Sequence, residues 1–386
     1  MKKSKKTIKL AILFYSLLQI GAICITSILG RIAELFPEYS TTTIQFLATC
    51  PSVMIIFVSL LTGKLAEHIA KKYLALVSAS MFVVSALGGF LFHGSFLLLF
   101  LWQIILGTGI GILVPLGSAL IADYFTGEER SGLMGLQSAI ISVGGVLLSL
   151  LAGLLAAIEW YYSYLALLLI IPGFLLLLFG LPLDHPKPVG HSSEGRVRVT
   201  PRIVLFYGIA AFAFILFYNV ISTNLAIHLK ENEIVGSVFS GVATSVFMLS
   251  GAVAGVMFKL FKRVLGERVI ALGFFNLALG GLILGLFTSY PILLFGAFIA
   301  GFSLSIVMAQ VVISIAEKEK PDAVTMSIAM NMAINNLGAF LSPNFTKITK
   351  LLLHGERAAD RYLFVGAAAM AAAIVLFVVL GKEKSK

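Results

Sequence analysis

Long apolar runs dominate the chain. Residues 96–122, for example, contain no charged side chain, and about 20 mainly apolar residues are enough to cross the hydrocarbon core of a bilayer. Lipid offers no hydrogen-bond partners to the backbone, so a membrane-spanning chain must form helices or a closed barrel. Barrel strands would alternate apolar and polar residues, and these runs do not alternate. The sequence therefore predicts an all-α integral membrane protein.

Twelve such runs can be recognised along the chain. The breaks between them fall at polar or turn-forming residues, such as the His93-Gly94-Ser95 stretch. Composition agrees with a membrane location, because 12% of the residues are charged whereas a soluble domain carries about 25%. The predicted spans are residues 8–30, 41–62, 73–92, 96–122, 132–157, 162–181, 202–228, 236–258, 268–288, 291–316, 323–348 and 361–381.

The basic residues are distributed unequally between the two sides. Twelve spans place both termini on one side, and that side would carry 22 of the 28 Lys and Arg residues. Because basic loops favour the cytoplasm, we expect both termini there and the chain in the cytoplasmic (plasma) membrane. The net charge of +10 then points to the lipid bilayer as partner, not to nucleic acid. The other six basic residues fall in the predicted outer loops: Arg31, Lys230, Lys347, Lys350, Arg357 and Arg361.

The two halves of the chain resemble each other at an offset of 194 residues, which aligns Gly107 with Gly301 and Asp123 with Glu317. Such an offset indicates parallel repeats, an arrangement in which the substrate site lies between the halves near the bilayer midplane. Chance similarity between apolar helices is the alternative. Small residues at i, i+4 in span four would let helices approach closely. We expect an N-terminal six-helix bundle over residues 1–183, a cytoplasmic linker over 184–201 and a C-terminal six-helix bundle over 202–386.

Two loop motifs resemble the major facilitator superfamily. The segment GKLAEHIAKK from Gly63 to Lys72 is similar to that family's signature Gly-x-Leu-Ala-Asp-Arg-x-Gly-Arg-Lys, and the segment DYFTGEER after span four also resembles the family. The resemblance covers essentially the whole chain. It implies two pseudo-symmetric six-helix bundles and transport by alternating access. Charges of these motifs would act in coupling or gating, which nominates Glu67, Lys71, Lys72, Asp123 and Arg130.

Two positions depart from the drug/proton antiporters of that family. Gln103 stands where those proteins usually carry an Arg in span four, and Leu148-Ser149 replaces their Gly-Pro pair in span five. Every charged residue maps to a loop or a span end, although charges within the membrane are the usual proton relays. A proton-coupled multidrug or amphipath efflux antiporter is therefore the alternative function, and a non-transporting membrane sensor is a further one.

Neutral amide side chains do reach the predicted spans. Spans one, four, seven and ten line the cavity in the resembling family, and an i, i+4 pair of asparagines shares one face of span eleven. An amide at such a position serves either as a substrate ligand or as an interhelical hydrogen bond, and both readings stay open. The candidate substrate-binding amides are Gln19, Asn219, Asn224, Gln310, Asn331 and Asn335.

Arg31 and Glu34 form a more specific candidate pair near the outer end of span one. Their i, i+3 spacing puts them on one helix face. A guanidinium could bind an anionic substrate through two parallel hydrogen bonds, and Glu34 could be the protonatable group. A solvated ion pair at a helix end is the alternative.

These features together predict a monomeric secondary transporter without a cofactor. Its substrate is expected to be a small, partly apolar organic compound, which is anionic if Arg31 binds it. No nucleotide-binding loop of the Gly-x-x-x-x-Gly-Lys-Ser/Thr type appears in the sequence. The six histidines are scattered over loops and span ends, so converging catalytic groups are not expected and neither is an enzyme. Cys24 and Cys50 suggest neither a disulfide framework nor a metal site.

Overall fold

The computed structural model describes residues 5–182, 200–234, 236–320, 323–345, 348–349 and 357–382. The predicted linker, residues 184–201, lies outside these ranges except for its last two residues. Within them every regular element is a helix, and there is no strand. The helices are α1 (Lys5–Ser16), α2 (Ile23–Thr26), α3 (Leu29–Leu35), α4 (Thr41–His68), α5 (Lys71–Leu91), α6 (Phe96–Tyr124), α7 (Gly127–Ala156), a 3₁₀ helix (Trp160–Leu169) continuing into α8 (Ile170–Gly180), α9 (Pro201–Glu231), α10 (Ser237–Leu265), a short 3₁₀ turn (Gly266–Arg268), α11 (Val269–Leu286), α12 (Tyr290–Lys318), α13 (Val324–Leu341) and α14 (Ala358–Lys382).

Each predicted span coincides with helical structure, which confirms the all-α prediction. Among the described residues, eight helical stretches are long and apolar enough to cross a membrane, and one of them, Ser237–Leu286, contains both α10 and α11. Some predicted bounds are wrong by several residues. α10 continues to Leu265, past the predicted end at 258, because helical hydrogen bonding persists where the chain leaves the apolar core. α13 ends at Leu341 instead of 348, because Pro343 has no backbone N–H to continue the helical hydrogen bonding.

The first span is not one continuous helix, contrary to the prediction. Between α1 and α2 the backbone bonds close over three residues instead of four, as from Gln19 N to Ser16 O (3.1 Å) and from Gly21 N to Leu18 O (2.9 Å). Tight turns of this kind inside a helix often mark a functional hinge. At membrane depth an irregular backbone is tolerated only where protein or a water-filled cavity surrounds it, so this segment must lie inside the bundle.

Two large apolar cores follow the two halves of the chain. One is built by α1–α8 together with Ile227, and the other by α9–α14. Glycines aligned by the 194-residue offset make equivalent helix contacts in each. A Cβ on Gly107 would lie 2.6 Å from Pro51 Cα, and a Cβ on Gly301 would collide with the Phe247 carbonyl oxygen. As the glycine spacing predicted, small residues let α6 approach α4 and let α12 approach α10.

The two halves meet toward one end of the spans. We call the end where α1 begins and α14 ends the terminal face, and the other end the opposite face. On α7, Ser149 Oγ donates to the Gly241 carbonyl oxygen of α10 (3.0 Å), and a Cβ on Gly153 would lie 2.8 Å from Gly241 Cα. α4 meets α13 through Phe46 and Phe340, whose ring centroids are 5.4 Å apart. These contacts lie in the parts of the helices nearer the opposite face.

Candidate functional site

Three charged residues join the halves at the opposite face. Arg31 Nη1 donates to the Glu34 carboxylate one turn along α3, and Lys230 Nζ, at the end of α9, lies 3.2 Å from the other carboxylate oxygen. Partial burial alone would raise the pKa of Glu34, but the hydrogen bonds from Arg31 and Lys230 outweigh it and lower that pKa. Glu34 is therefore held ionised in this conformation and bridges the first half to the second.

This ion cluster lines a cavity of about 520 Å³ between the halves, which we call the vestibule. Glu159 and Trp160 contribute to its wall from the first half, and residues 236–240 contribute from the second. Beside it α3 and α9 touch, because a Cβ on Gly30 would lie 2.9 Å from the Ala226 carbonyl oxygen. Both halves thus build the vestibule, so its shape depends on how they are packed.

A buried polar group lies between α4, α9 and α14, and we call it the Asn224 node: Gln45, Asn224 and Arg361. Asn224 Oδ1 accepts from Gln45 Nε2 (2.6 Å) and from Arg361 Nη1 (2.5 Å). The prediction that placed Arg361 in an outer loop is wrong, because α14 begins at Ala358 and Arg361 is 3% exposed. Asn219, in contrast, is half-buried and donates to the backbone of its own helix (2.9 Å). Because Gln45 belongs to the first half and Asn224 to the second, the node is a second contact between the halves.

Gln19 lies in the irregular segment between α1 and α2. Its side-chain oxygen is buried and has no hydrogen-bond partner among the described residues. The next residue, Ile20, and Met248 of the second half both approach Gly145, with atoms 3.7 Å and 3.6 Å from where its Cβ would be. Gln19 thus offers an acceptor close to the interface between the halves.

The remaining candidate amides lie in α12 and α13. Gln310 is fully buried and donates to Ser314 Oγ (2.9 Å). Asn335 Nδ2 lies 3.4 Å from Asn331 Oδ1 and 3.4 Å from a methionine sulfur of α12. Within the described part of the chain, each of the three amides keeps one buried polar atom without a partner: Gln310 Oε1, Asn331 Nδ2 and Asn335 Oδ1. A ligand with complementary donors and acceptors would satisfy them.

The terminal face carries an ion pair between helices in each half. Lys71 Nζ lies 2.5 Å from Asp123 Oδ2 between α5 and α6, and Lys262 Nζ lies 3.0 Å from Glu317 Oε1 between α10 and α12. The two acids are the pair that the 194-residue offset aligns. Each ion pair joins two helices of the same half, so it fixes the relative position of those helix ends.

The other candidate charges behave differently. Lys72 Nζ donates to the carbonyl oxygens of Leu178 (2.7 Å) and Leu181 (2.9 Å), at the end of α8. Cations at a helix C-terminus satisfy its last carbonyls. The side chains of Glu67 and Arg130 lie outside the described part of the structure.

Sequence reasoning missed Gln45, Lys230 and Arg361 as contacts of the site. Each lies within a turn or so of a helix end, where polar residues ordinarily mark the membrane interface. A signal was present for Arg361, since it opens an apolar helix in which a buried cation requires a partner.

A further buried acid, Glu319, ties α9 and α13 together at the terminal face. Its carboxylate accepts from Thr200 N (3.0 Å), Thr200 Oγ1 (2.7 Å), Lys320 N (3.0 Å) and Ser327 Oγ (3.0 Å). Burial would raise the pKa of Glu319, but these hydrogen bonds, those from Thr200 foremost, lower it to about 2. Glu319 therefore stays ionised and holds the start of the second half in place.

The variant Glu319→Gln is expected to lower stability at pH 7, because its amide turns a donor toward groups that now donate to the carboxylate. A buried donor left without a partner costs about 1–3 kcal/mol. Since the folded-state pKa is lowered, the contribution of Glu319 is complete above the ordinary value of 4.5 and is lost as pH falls toward about 2. Thermal unfolding should show the gap to wild type narrowing below pH 4.5.

Glu317→Gln is the matched control, because the Glu317 side chain is 56% exposed and pairs with Lys262. Exposed pairs contribute about 0–1 kcal/mol. Equal losses in the two variants would contradict the role assigned to Glu319.

The family model of the Major Facilitator Superfamily matches residues 7–343. The chain therefore belongs to the Major Facilitator Superfamily, as the loop motifs suggested. Among curated proteins, "Protein TsgA" of Salmonella newport (strain SL254) is 28% identical over 211 residues, which is 53% of this chain and 53% of that protein. The chain thus spans about half the length of the curated relatives it matches.

Solved structures of transporters share the fold. The peptide transporter POT (E310Q mutant) in complex with alafosfalin superposes with a TM-score of 0.76 at 11% identity, over 97% of this chain and 94% of that one. A bacterial homologue of the human lysosomal transporter Spinster, inward-facing and unoccupied, gives 0.67 at 16% identity over 97% and 96%. At these identities the likeness establishes the major facilitator fold. The chain is accordingly a multi-pass membrane protein of a transporter family.

Proposed function

We propose that this protein is a secondary transporter, active as a monomer, that moves a small, partly apolar organic compound across the cytoplasmic membrane by alternating access. The observation that carries this proposal is the polar contact between the halves near the opposite face. Lys230 pairs with Glu34 across the vestibule (3.2 Å), and Gln45 bonds to Asn224 (2.6 Å). Contacts of this kind can break when two bundles rock, which is what alternating access requires.

The orientation follows from the charges. The terminal face would carry 22 of the 28 basic residues, which favours the cytoplasm for that face. The division into residues 1–183, 184–201 and 202–386 then makes the linker cytoplasmic. With that orientation the opposite face is extracellular, and the conformation described is closed to the outside.

The substrate would meet neutral amides at mid-depth. Buried atoms of Gln19, Gln310, Asn331 and Asn335 have no partner among the described residues, and unpaired buried polar atoms are costly unless something satisfies them. Arg31 in the vestibule would receive an anionic substrate after leaving Glu34, and Glu34 would be the coupling acid. Two structural neighbours hold alafosfalin and 5-aminolevulinic acid, which are both small organic compounds.

The proton-coupled efflux reading is less well supported. In the described spans no carboxylate is buried, since the buried acid Glu319 follows the end of α12, and the one buried histidine there is His228, near the end of α9. Proton relays in pumps use acids or histidines inside the membrane. If transport is coupled to protons, we propose that Glu34, at the membrane edge, is the group that carries them.

A metabolite and drug panel tests the proposal. Purified wild-type protein should gain thermal stability with at least one small organic compound, and that compound should exchange across proteoliposomes. Gln19→Ala should weaken binding roughly tenfold, as expected for the loss of one good hydrogen bond in a dry site. For an anionic compound, Arg31→Ala should weaken binding as well.

The outcomes separate the two assignments. If an anionic compound binds equally well to wild type and Arg31→Ala, Arg31 has no role in binding. If every stabilising compound fails to cross the vesicle membrane, the transport proposal itself fails, and the sensor reading takes its place. Exchange rates with and without a pH gradient show whether protons are coupled.

A further inference from the structure

An apolar groove runs along the outside of the second half, between α11 and α14. Its volume is about 360 Å³, and its lining is apolar except for one residue, Arg268. Phe275, Ile374, Phe377 and Val378 contribute large exposed surfaces to it. The groove is formed by two helices of one half, so it is not on the path between the halves.

Arg268 stands at the terminal-face end of this groove. Its Cζ lies 4.6 Å from the centroid of the Phe377 ring, and its Nε is buried without a hydrogen-bond partner in the described part of the chain. Two neighbouring lysines are neutralised, Lys262 by Glu317 (3.0 Å) and Lys318 by Glu267 (2.9 Å). Arg268 has no ion pair with any residue the structure describes, so among those residues its charge is not compensated.

A second cavity, of about 550 Å³, continues from the groove at Leu265 and Arg268. Three cationic and two acidic side chains line it: Lys262, Arg268, Lys318, Glu267 and Glu317. A cation therefore lies where a charged cavity at the membrane edge joins an apolar groove. That sequence of surfaces fits a ligand with a negatively charged head and a long apolar tail.

We propose that this corner binds one anionic glycerophospholipid. Its phosphate pairs with Arg268, its head group occupies the charged cavity, and one acyl chain lies along Phe275, Ile374 and Phe377. Basic pockets beside transmembrane helices on the cytoplasmic side are known to take anionic head groups, and arginine binds phosphate through two parallel hydrogen bonds. A free phosphate would leave the groove unused, and a zwitterionic lipid would leave the excess positive charge uncompensated.

Native mass spectrometry of the detergent-purified full chain tests the proposal with defined lipids. Wild type should retain one long-chain phosphatidylglycerol, bind a short-chain form more weakly and bind phosphatidylcholine and glycerol 3-phosphate weakest. Arg268→Gln should weaken long-chain phosphatidylglycerol binding roughly tenfold, the effect of losing a charge-assisted hydrogen bond. Arg263→Gln removes an equal charge from an exposed position outside both cavities and should bind like wild type.

Three results would overturn the proposal. Equal retention of phosphatidylglycerol by Arg268→Gln removes the role of the arginine. Equal binding of phosphatidylcholine removes the charge selectivity. Equal binding of glycerol 3-phosphate makes the cavity a site for soluble anions and not for lipid. The chain-length comparison uses wild type alone, so it holds even if Arg268→Gln folds poorly.

Discussion

Replacing Asn224 with alanine is expected to destabilise the protein strongly and to open the opposite face. Asn224 is fully buried, and its Oδ1 accepts hydrogen bonds from Gln45 (2.6 Å) and Arg361 (2.5 Å). Losing one neutral and one charged hydrogen bond costs about 2–4 kcal/mol together. The thermal midpoint in detergent should therefore fall by several degrees.

The second part of this prediction concerns conformation. The bond from Gln45 joins α4 of the first half to α9 of the second (2.6 Å), so its loss removes a contact that holds the halves together near the opposite face. A mutation shifts the equilibrium between the conformations with an open and a closed opposite face by its different effects on their free energies. Spin labels at positions 38 and 233, introduced as Glu38→Cys and Glu233→Cys without Cys24 and Cys50, should report longer distances in Asn224→Ala.

Asn219→Ala is the matched control, because Asn219 lies on the same helix and its side chain donates to the backbone of that helix (2.9 Å). It should lose far less stability and leave the label distances unchanged. If Asn219→Ala and Asn224→Ala behave alike, the Asn224 node does not hold the halves together.

The fold was readable from the sequence because the bilayer restricts the choices. Apolar runs long enough to cross it must be helical, and the runs at 96–122 and 202–228 correspond to α6 and α9. The break in span one was not readable. No proline interrupts that segment, and its irregular turns depend on how Leu17 packs against α7, which is a contact between residues far apart in sequence.

The candidate site could be predicted from the sequence only where its contacts are local. The Arg31–Glu34 pair is local, and an i, i+3 spacing is enough to predict it. Lys230 joins that pair across the two halves, and the burial of Arg361 depends on α9 and α4. Nothing in the neighbouring residues of either side chain indicates these partners. The roles of the mid-depth amides stay predictions.

The irregular segment of span one leads to a second large expected effect, that of Gly144→Ala. A Cβ at position 144 would collide with the main-chain carbonyl oxygen of Leu17 and lie 3.1 Å from Leu17 Cγ. A side chain could rotate away, but a carbonyl held in the 3₁₀-like turns cannot. Overpacking usually costs about 1–3 kcal/mol, occasionally more, and a clash with backbone belongs at the upper end. α7 and span one must then separate, which displaces Gln19 two residues further on.

The adjacent glycine provides the control, because the same substitution on the same helix meets ordinary contacts. A Cβ on Gly145 would have Met248 Sδ as its nearest atom, at 3.6 Å, so Gly145→Ala should be tolerated and should gain some helix propensity. Thermal unfolding and ligand binding of both variants distinguish sterics from flexibility. If rigidity alone mattered, both alanines would act alike. If the Leu17 contact matters, Gly144→Ala alone loses stability. It should also lower the affinity for any compound that the Gln19 amide binds.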